Sequence, residues 1–369
     1  MKFDRRLLFG FDWVLLFLVL SISLIGILNL YSAGHSLTSF NGSPIYIKQV
    51  YWVLIGLVFM VICFCIDYHF IGRYAYVIYA ISIILLVLVF FYGSTIHGSQ
   101  RWLVFGGFSF QPSELIKLTV ILALAKYFDN NKTDEGCNLK KLLLPFLMVL
   151  LPFLFILKQP DLGTAMLLIV LFLSMNIFIG VKWGTVILTA ICGIVSVPLC
   201  WNFLRDYQKE RMLTFFNPER DPLGSGYHVI QSMIAVGSGG VLGKGFLKGT
   251  QTQLKFLPEQ QTDFVFSVFA EEWGFLGCIV LMIMFFALIL WGLRIARHSR
   301  DFLGVLIVFG ITMLVFGEVF INIGMVLGVL PVVGLPLPFL SYGGSSMVVL
   351  MAGIGLLMNV SMRRFVLQP

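Results

Sequence analysis

Long apolar segments separated by short polar ones dominate this sequence and restrict it to one structural class. Hydrophobic residues make up 59% of the chain and charged residues 12%. An apolar run of about 17–25 residues is long enough to cross the ~30 Å hydrocarbon core of a bilayer as a helix. We therefore predict an all-α integral membrane protein with ten transmembrane helices. They cover residues 13–31, 48–66, 74–92, 112–128, 141–157, 162–181, 183–201, 263–293, 302–330 and 340–362.

One long polar stretch interrupts this series. It covers about residues 202–262, between the seventh and eighth predicted helices. The sixth and seventh helices are separated only by Val181 and Lys182, which predicts a tight helical hairpin. The first apolar run is longer than a signal-peptide core and has no A-x-A-like cleavage site, so we predict an uncleaved helix. No internal repeat divides the sequence, and residues 1–369 are predicted to form a single membrane domain.

The distribution of lysine and arginine predicts the orientation. With the N-terminus inside, 14 of the 25 Lys and Arg residues fall in inner segments and 4 in short outer segments or outer helix ends. The other 7 lie in the 202–262 loop, which is long enough to carry little weight. Both termini are therefore predicted to be cytoplasmic and the loop extracytoplasmic. The net charge is +7, but the basic residues are scattered between apolar runs. Membrane orientation therefore explains their positions better than binding to nucleic acid does.

Asp263 is the strongest candidate for chemistry. It lies where the polar loop meets the eighth predicted helix, downstream of Lys244, Lys248 and Lys255. An ionisable residue at a membrane boundary is costly and is a functional candidate for that reason. The alternative is a water-exposed helix cap, since Asp is a favoured N-cap residue. A helix N-terminus stabilises the ionised carboxylate and a dry chamber destabilises it, and the sequence leaves the balance open.

The glycine-rich segment GSGGVLGKG at 237–245 resembles a phosphate-binding P-loop only superficially. The pattern G-x-x-x-x-G-K-[ST] would need glycine at Ser238 and a hydroxyl residue at Gly245. A weaker interpretation remains, in which glycines let backbone N–H groups approach an anion while Lys244 and Lys248 act as point charges. The alternative is a flexible surface loop.

Five polar residues elsewhere are further candidates. Glu114 and Lys117 are spaced i,i+3 on one face of the fourth helix, so each can neutralise the other in a buried position. Asp161 begins the sixth helix, as a cap or as part of a site. Arg101 and Arg211 lie in predicted outer segments and suit forked contacts with phosphate, unless water alone solvates them.

Polar residues inside the later helices have a structural interpretation. Glu271 and Glu272 are expected about 12 Å deeper than the boundary aspartate, and to point away from it, on a helix that rises 1.5 Å per residue. Glu318 and Asn322 are expected to make contacts between helices. The almost uncharged segment 330–346 contains three prolines. Such irregular backbone must be buried in protein or line a cavity.

Taken together, these segments resemble the SEDS family (shape, elongation, division and sporulation). No charged motif position departs from the family pattern, although Trp273 replaces a residue that is usually aliphatic. The matching motifs are SQRW at 99–102, FQPSELIK at 110–117, QPDLGT at 159–164, DPLGSGYHVIQS at 221–232, GSGGVLGKG at 237–245, GTQ at 249–251, LPEQQTDFVF at 257–266, AEEWG at 270–274, NIGMV at 322–326 and LPVVGLPLPFLSYGGSS at 330–346.

The resemblance implies a peptidoglycan glycosyltransferase that polymerises lipid II into glycan strands at the outer face of the bacterial cytoplasmic membrane. It implies that Asp263 is the catalytic carboxylate and that Glu114, Lys117 and Asp161 matter for activity, for which we expect them to bind the substrate. It also implies a class B penicillin-binding protein, a transpeptidase, as partner, together with other membrane proteins of the elongation complex. Nucleic acid is not expected.

The implied reaction is consistent with the residues present. Pyrophosphate is a good leaving group, so cations can take the place of a general acid. Arg101, Arg211, Lys244 and Lys248 are the candidates for that role, and Asp263 is the candidate base for the acceptor hydroxyl. A divalent cation, Mg²⁺ or Mn²⁺, between the carboxylate and pyrophosphate is compatible with the sequence, which contains no cluster of metal ligands.

Three alternatives remain at this point. A division or sporulation homologue would perform the same chemistry. A flippase for lipid-linked precursors would also need a polar chamber, but transporters place ionisable groups near the midplane between repeats, and here the key carboxylate lies at the outer boundary. A scaffold for other wall enzymes would leave the polar outer residues unexplained.

Overall fold

The computed structural model describes residues 11–35, 44–96, 99–105, 108–131, 139–181, 184, 209, 213–215, 225–254, 256–257 and 259–364. The helices are α1 (Trp13–His35), α2 (Ile45–Cys65), α3 (Tyr68–Arg73), α4 (Ala75–Tyr92), α5 (Pro112–Asn130), α6 (Leu139–Lys158), α7 (Leu162–Phe178), α8 (Ser225–Ser238), α9 (Thr250–Gln253), α10 (Val265–Arg297), α11 (Phe302–Val326) and α12 (Gly344–Arg363). Three short strands lie between α4 and α5 and are β1 (Ser94–Ile96), β2 (Ser99–Phe105) and β3 (Phe108–Phe110).

The prediction of a mostly helical membrane protein is confirmed. Within the described residues, seven helices are long and apolar enough to cross a membrane, namely α1, α2, α4, α6, α10, α11 and α12. The α7 helix is apolar but shorter. Predicted helix 183–201 lies outside the described residues except for position 184, and so does most of the 202–224 stretch. The count of ten helices and the large loop therefore stay predictions.

The centre of the bundle is formed by α5, α11 and α12. Their side chains are buried along most of their length, including the charged residues Glu114, Lys117 and Glu318. By contrast, α2, α4 and α6 carry many exposed Leu, Val, Ile and Phe side chains. An apolar face left exposed on a transmembrane helix is satisfied by lipid tails, which are as apolar as leucine. The outer helices thus lie between these buried charges and the lipid.

A small antiparallel sheet corrects the all-α prediction. Its order is β1-β2-β3, with Ser94 opposite Trp102 and Leu103 opposite Phe110. The sequence carries a signal for it, because Gly106-Gly107 separates two runs rich in aromatic and β-branched residues, as in a two-residue hairpin. Strands of three to seven residues are too short to produce an apolar run of helix length.

The α10 helix is broken, where the sequence predicted one continuous helix over 263–293. Gly274 has φ +63°, a left-handed conformation that favours glycine, and divides α10 into Val265–Trp273 and Phe275–Arg297. The chain at Gly240–Gly245 passes beside the break. There Lys244 N donates to Glu271 O at 3.0 Å, and Phe275 N donates to Gly240 O at 2.9 Å.

Close packing at this break explains the glycine-rich motif. A Cβ atom at Gly239 would lie 2.1 Å from Ala270 O, and one at Gly243 would lie 2.1 Å from Glu272 O. The backbone N–H groups of Lys244 and Gly245 donate to carbonyl groups of α10, so they do not form an anion cradle. Two N–H groups of the segment are thus used within the protein, and its interpretation as an anion-binding loop stays a prediction.

The first part of α10 runs in a direction that the sequence did not predict. Asn29 Nδ2 donates to Val265 O at 2.9 Å, whereas Ser32, nearer the C-terminal end of α1, donates to Glu272 Oε1. Chain order from Val265 to Glu272 therefore follows α1 towards its C-terminal end. The two glutamates consequently lie nearer that end of α1 than Val265 does. The expectation that they lie deeper than Asp263 assumed a straight helix. These bonds relate Glu272 to Val265 and not to Asp263, so the depth of the glutamates relative to Asp263 stays a prediction.

Residues 331–343 form the irregular segment that the prolines predicted. Leu335, Leu337 and Leu340 are buried, and Tyr342 N donates to Gln261 O at 2.9 Å. A Cβ atom at Gly26 would lie 2.7 Å from Phe339 O, so this segment packs closely against α1. Its burial in protein is confirmed.

Candidate functional site

Asp263 lies in the turn at 259–264, immediately before α10. The first helical residue is Val265 and the N-cap position is occupied by Phe264. The Asp263 side chain is half-buried. Its position in the turn does not support the alternative in which Asp263 is the N-cap of this helix.

The backbone around Asp263 is held from two sides. Asn322 Nδ2 on α11 donates to Asp263 O at 3.0 Å. Ser341 Oγ, in the irregular segment, donates to Thr262 O at 2.6 Å, and the same hydroxyl accepts from Leu337 N at 2.8 Å. These bonds join the turn to α11 and to the irregular segment, so the position of the carboxylate depends on three separate parts of the chain.

Gly334 lies against the carboxylate. It has φ +73°, and a Cβ atom added there would lie 3.2 Å from Asp263 Oδ2. A larger residue would be strained by the backbone conformation and would also crowd the carboxylate oxygen. Glycine at position 334 therefore places no side chain of its own against Asp263 Oδ2.

Lys117 lies at the centre of a buried ion cluster. Its Nζ atom is 2.6 Å from Glu114 Oε2 and 2.6 Å from Glu318 Oε1. The exposed fractions are 1% for Lys117, 4% for Glu114 and 0% for Glu318. The pair predicted from the i,i+3 spacing is thus a cluster of three that joins α5 to α11. Glu318, which the sequence suggested only as a helix contact, was missed as its third member.

Asp161 and Arg101 meet at the start of α7. Asp161 is the N-cap residue and accepts from Thr164 N at 3.3 Å and from Thr164 Oγ1 at 3.0 Å. Arg101 Nε donates to Gln159 O at 2.9 Å, Nη2 donates to Pro160 O, and Nη1 lies 3.9 Å from Asp161 Oδ1. The guanidinium thus ties β2 to the turn between α6 and α7. Two of its donors are already used within the protein.

Lys244 is held by Glu271. Lys244 Nζ donates to Glu271 Oε1 at 2.7 Å, and this oxygen also accepts from Thr250 Oγ1 at 3.0 Å and from Gln251 N at 3.0 Å. The ammonium group therefore fastens the glycine-rich segment to α10. Lys248 is exposed, and its ammonium has no protein partner within the part of the chain that is described.

Two further residues bear on the site, Arg211 from the sequence prediction and Asn322 from the structure. Arg211 lies outside the described residues. Asn322 was predicted only as a contact between helices, and the structure adds its bond to Asp263. A polar residue inside an apolar helix was the available signal, because such residues face the bundle interior and pair there. In the described ranges, no group of three His, Cys, Asp or Glu side chains is arranged to hold a metal ion.

Comparisons with known proteins agree with this architecture. A family model described as "Cell cycle protein", FTSW_RODA_SPOVE, matches residues 12–365. Peptidoglycan glycosyltransferase MrdB of Escherichia coli (strain K12) is 43% identical over 323 residues, which cover 86% of this chain and 85% of the relative. Peptidoglycan glycosyltransferase RodA of Treponema pallidum (strain Nichols) is 33% identical, over 96% of this chain and 98% of the relative.

A solved structure is also similar. It is described as showing structural coordination of polymerization and crosslinking by a peptidoglycan synthase complex. One of its chains superimposes with a TM-score of 0.81 at 34% identity, covering 96% of this chain and 98% of that chain.

Proposed function

Because this chain belongs to the family of cell cycle proteins that comprises FtsW, RodA and SpoVE, we infer that it is a peptidoglycan glycosyltransferase of cell elongation. The family match extends over residues 12–365, nearly the whole chain. The relatives that bear the names MrdB and RodA are glycosyltransferases by name, which agrees with the resemblance to the SEDS family. The flippase and scaffold alternatives receive no comparable support. Relatives named FtsW share the chemistry and reach 37% identity, so the higher identity of 43% to MrdB favours the elongation role over the division and sporulation alternatives.

The proposed substrate is lipid II, a sugar carried on a polyprenyl pyrophosphate. The proposed catalytic carboxylate of the enzyme is Asp263. The observation that carries this assignment is the half-buried position of Asp263, in a turn held by Asn322 and Ser341 and beside the side-chain-free Gly334. Several constraints on one carboxylate are what a general base needs, because a base must be fixed within hydrogen-bond reach of the proton it removes.

In the proposed reaction, the carboxylate of Asp263 takes the proton from a hydroxyl group of the acceptor sugar. The hydroxyl oxygen forms a bond to the anomeric carbon of the donor sugar. The bond from that carbon to the pyrophosphate oxygen breaks, and the polyprenyl pyrophosphate leaves with the electron pair. The proton remains on the carboxylate until solvent removes it.

Cations near the leaving group would stabilise its charge. Lys248 is the described candidate whose ammonium is exposed, and Arg211 stays a proposal from the sequence. Arg101 and Lys244 would contribute indirectly, since both are bonded to protein groups that shape the site. A divalent cation, Mg²⁺ or Mn²⁺, would be held by Asp263 and the pyrophosphate, since oxygen ligands of this kind suit both ions.

Glu114, Lys117 and Asp161 would support activity by holding helices. The ion cluster of Lys117 joins α5 to α11, which carries Asn322. Asp161 caps α7 and lies 3.9 Å from Arg101, so its loss would loosen the junction between α7 and the small sheet. In this proposal none of these three residues needs to contact the reacting atoms.

The topology completes the proposal. Ten helices would cross the bacterial cytoplasmic membrane in one domain, with both termini in the cytoplasm and residues 202–262 outside. The positive charge on the predicted inner segments supports this orientation. The contacts of Asp263 with α11 and of the following residues with α1 would then lie in the outer half of the membrane, where a translocated lipid-linked sugar is accessible.

The proposed partner is a class B penicillin-binding protein, with further membrane proteins of the elongation complex. The similarity to a chain of a peptidoglycan synthase complex supports this proposal. Phe275, Ile283 and Phe286 on α10 and Phe320 on α11 are exposed apolar side chains that a single transmembrane helix could cover. We propose the lipid-facing sides of α10 and α11 as the contact.

Purified protein incubated with lipid II in detergent tests the function. Glycan polymer should accumulate, and it should do so without any nucleotide. Reconstitution into vesicles separates the main rival, because a flippase would move labelled lipid II between leaflets and form no polymer. That outcome would overturn the proposal.

A further inference from the structure

Asn322 connects two segments that meet at the candidate site. Its side chain is fully buried, with 0% exposure. The Nδ2 atom donates to Asp263 O at 3.0 Å and to Leu335 O at 2.7 Å. The turn that carries the carboxylate and the irregular segment are thereby bonded to the same amide group on α11.

The bond to Leu335 O places Asn322 next to the backbone that faces the Asp263 carboxylate. Leu335 follows Gly334 directly, and Gly334 is the residue that faces Asp263 Oδ2. One amide therefore fixes the backbone that bears the carboxylate and also the backbone against which the carboxylate lies. A displacement of Asn322 would change the distance between them.

The side-chain amide of Asn322 acts here only as a hydrogen-bond donor, through its Nδ2 atom. Its Oδ1 atom is buried and has no hydrogen-bond partner among the described residues. A buried polar atom left without a partner is destabilising. A residue selected only for stability would avoid the cost of the unpartnered Oδ1 atom. The two N–H groups, by contrast, have acceptors in Asp263 O and Leu335 O, which indicates that donation is the role of this side chain.

We propose that Asn322 is a positioning residue for Asp263, held in place by the ion cluster of Lys117. Glu318 lies one helical turn before Asn322 on α11, and its Oε1 atom is 2.6 Å from Lys117 Nζ. The cluster fixes α11 against α5, and α11 in turn fixes the amide. This inference rests on the proposed role of Asp263 and explains how the buried charges on α5 and α11 would affect the reaction.

The experiment compares Asn322→Leu with Asn359→Leu in purified, folded protein. Asn359 on α12 is the control, because it is also 0% exposed and its Nδ2 donates to the backbone oxygens of Cys63 and Phe64 at 2.8 and 2.9 Å. Its Oδ1 also accepts from Arg363 Nε at 2.9 Å, so its loss is structurally at least as severe. Both variants lose buried amide donors. The measurements are kcat and KM for lipid II, binding of labelled lipid II, the thermal unfolding midpoint and the dependence of kcat on pH.

We expect Asn322→Leu to lower kcat on the order of 10- to 100-fold, because misplacement of a catalytic group by about 1 Å has an effect of that size. KM and lipid II binding should stay within about twofold, since the contacts to substrate remain. The acid limb of the kcat profile should move, because it reports the base in the complex. Asn359→Leu should lower the unfolding midpoint comparably and keep the parental kcat and pH profile.

Several results would overturn the inference. One is a parental kcat and pH profile in Asn322→Leu, and another is an equal loss of kcat in both variants at matched folding. If Asn322→Leu does not fold, Asn322→Ser, which keeps one donor, is judged by the same criteria. Asp263→Asn is measured in parallel. An active Asp263→Asn overturns the proposed function and this inference together, whereas an inactive one beside a fully active Asn322 variant overturns the inference alone.

Discussion

Lys117 on α5 and Glu318 on α11 form a buried ion pair, with Nζ and Oε1 separated by 2.6 Å. Glu114 lies at the same distance from the ammonium, so two carboxylates share one cation within the bundle. Buried charges are costly unless they are compensated, and removal of the one cation leaves two carboxylates without a partner. The stability of the bundle should therefore depend strongly on Lys117.

Lys117→Met should lower the free energy of unfolding by roughly 3–5 kcal/mol. The triple variant Glu114→Gln/Lys117→Met/Glu318→Gln should lose much less, because no buried charge remains in it. Lys126→Met is the control on the same helix, since the partly exposed Lys126 lies 3.9 Å from Asp129, and such a pair contributes about 0–1 kcal/mol. Denaturant unfolding in detergent measures all three, and equal stability of the single and triple variants would show that the cluster is hydrated.

Gly243→Ala should destabilise the junction between the glycine-rich segment and α10. The added Cβ atom would lie 2.1 Å from Glu272 O, and the residue has φ +79°. Overpacking of this kind costs roughly 1–3 kcal/mol. Gly237→Ala is the matched control, because nothing lies within 4 Å of its Cβ position. Thermal unfolding should separate the two variants, and equal midpoints would contradict the packing described for the break.

A cysteine at position 248 tests the orientation. Lys248 is exposed, and in a variant without the six native cysteines Lys248→Cys should react with an impermeant thiol reagent added to intact cells. His298→Cys, in the exposed turn between α10 and α11, should react only after the inner face is opened. The reverse pattern would invert the topology and place the site on the cytoplasmic side.

Phe316→Ala/Phe320→Ala should reduce the recovery of a single-span transpeptidase with this protein. The two rings stack at 5.8 Å on α11, and both side chains are exposed. Phe17→Ala on α1 removes a ring that is even more exposed, from a helix outside the proposed contact, so it should leave recovery unchanged. Co-purification from membranes at native expression measures the effect, and parental recovery of the partner with the α11 variant would exclude that contact.

The membrane class and the order of the polar motifs could be predicted because the signals are local. A run of about 20 apolar residues has few alternatives to a spanning helix, and three prolines in 330–346 preclude a regular one. The sequence left open whether Asp161 is an N-cap residue. This role was also predictable, because it depends on a contact with Thr164, only three residues away.

The remaining features depend on contacts between distant parts of the chain. The break at Gly274 requires the segment Gly240–Gly245 to lie beside it, and neither stretch alone indicates the other. The i,i+3 spacing predicted an ion pair between Glu114 and Lys117. It gave no sign of Glu318, the third member of the cluster, because Glu318 is 201 positions from Lys117 in the sequence. Asn322 appeared as one polar residue in an apolar helix, and only the folded chain shows that its acceptors are Asp263 and Leu335.

The central claim is that Asp263 is the catalytic carboxylate, and Asp263→Asn tests it most directly. Asparagine keeps the side-chain volume, and the bond from Asn322 goes to the backbone oxygen of position 263, which the substitution leaves in place, so folding and lipid II binding should be preserved. The charge and basicity are lost, and general-base catalysis contributes typically 10²–10⁴-fold. The measurement is glycan polymer formed from lipid II by purified variant and parent at matched folding. We predict a loss of about 100-fold or more, and a variant that retains more than about a tenth of parental polymerisation would contradict the role of Asp263 as the base.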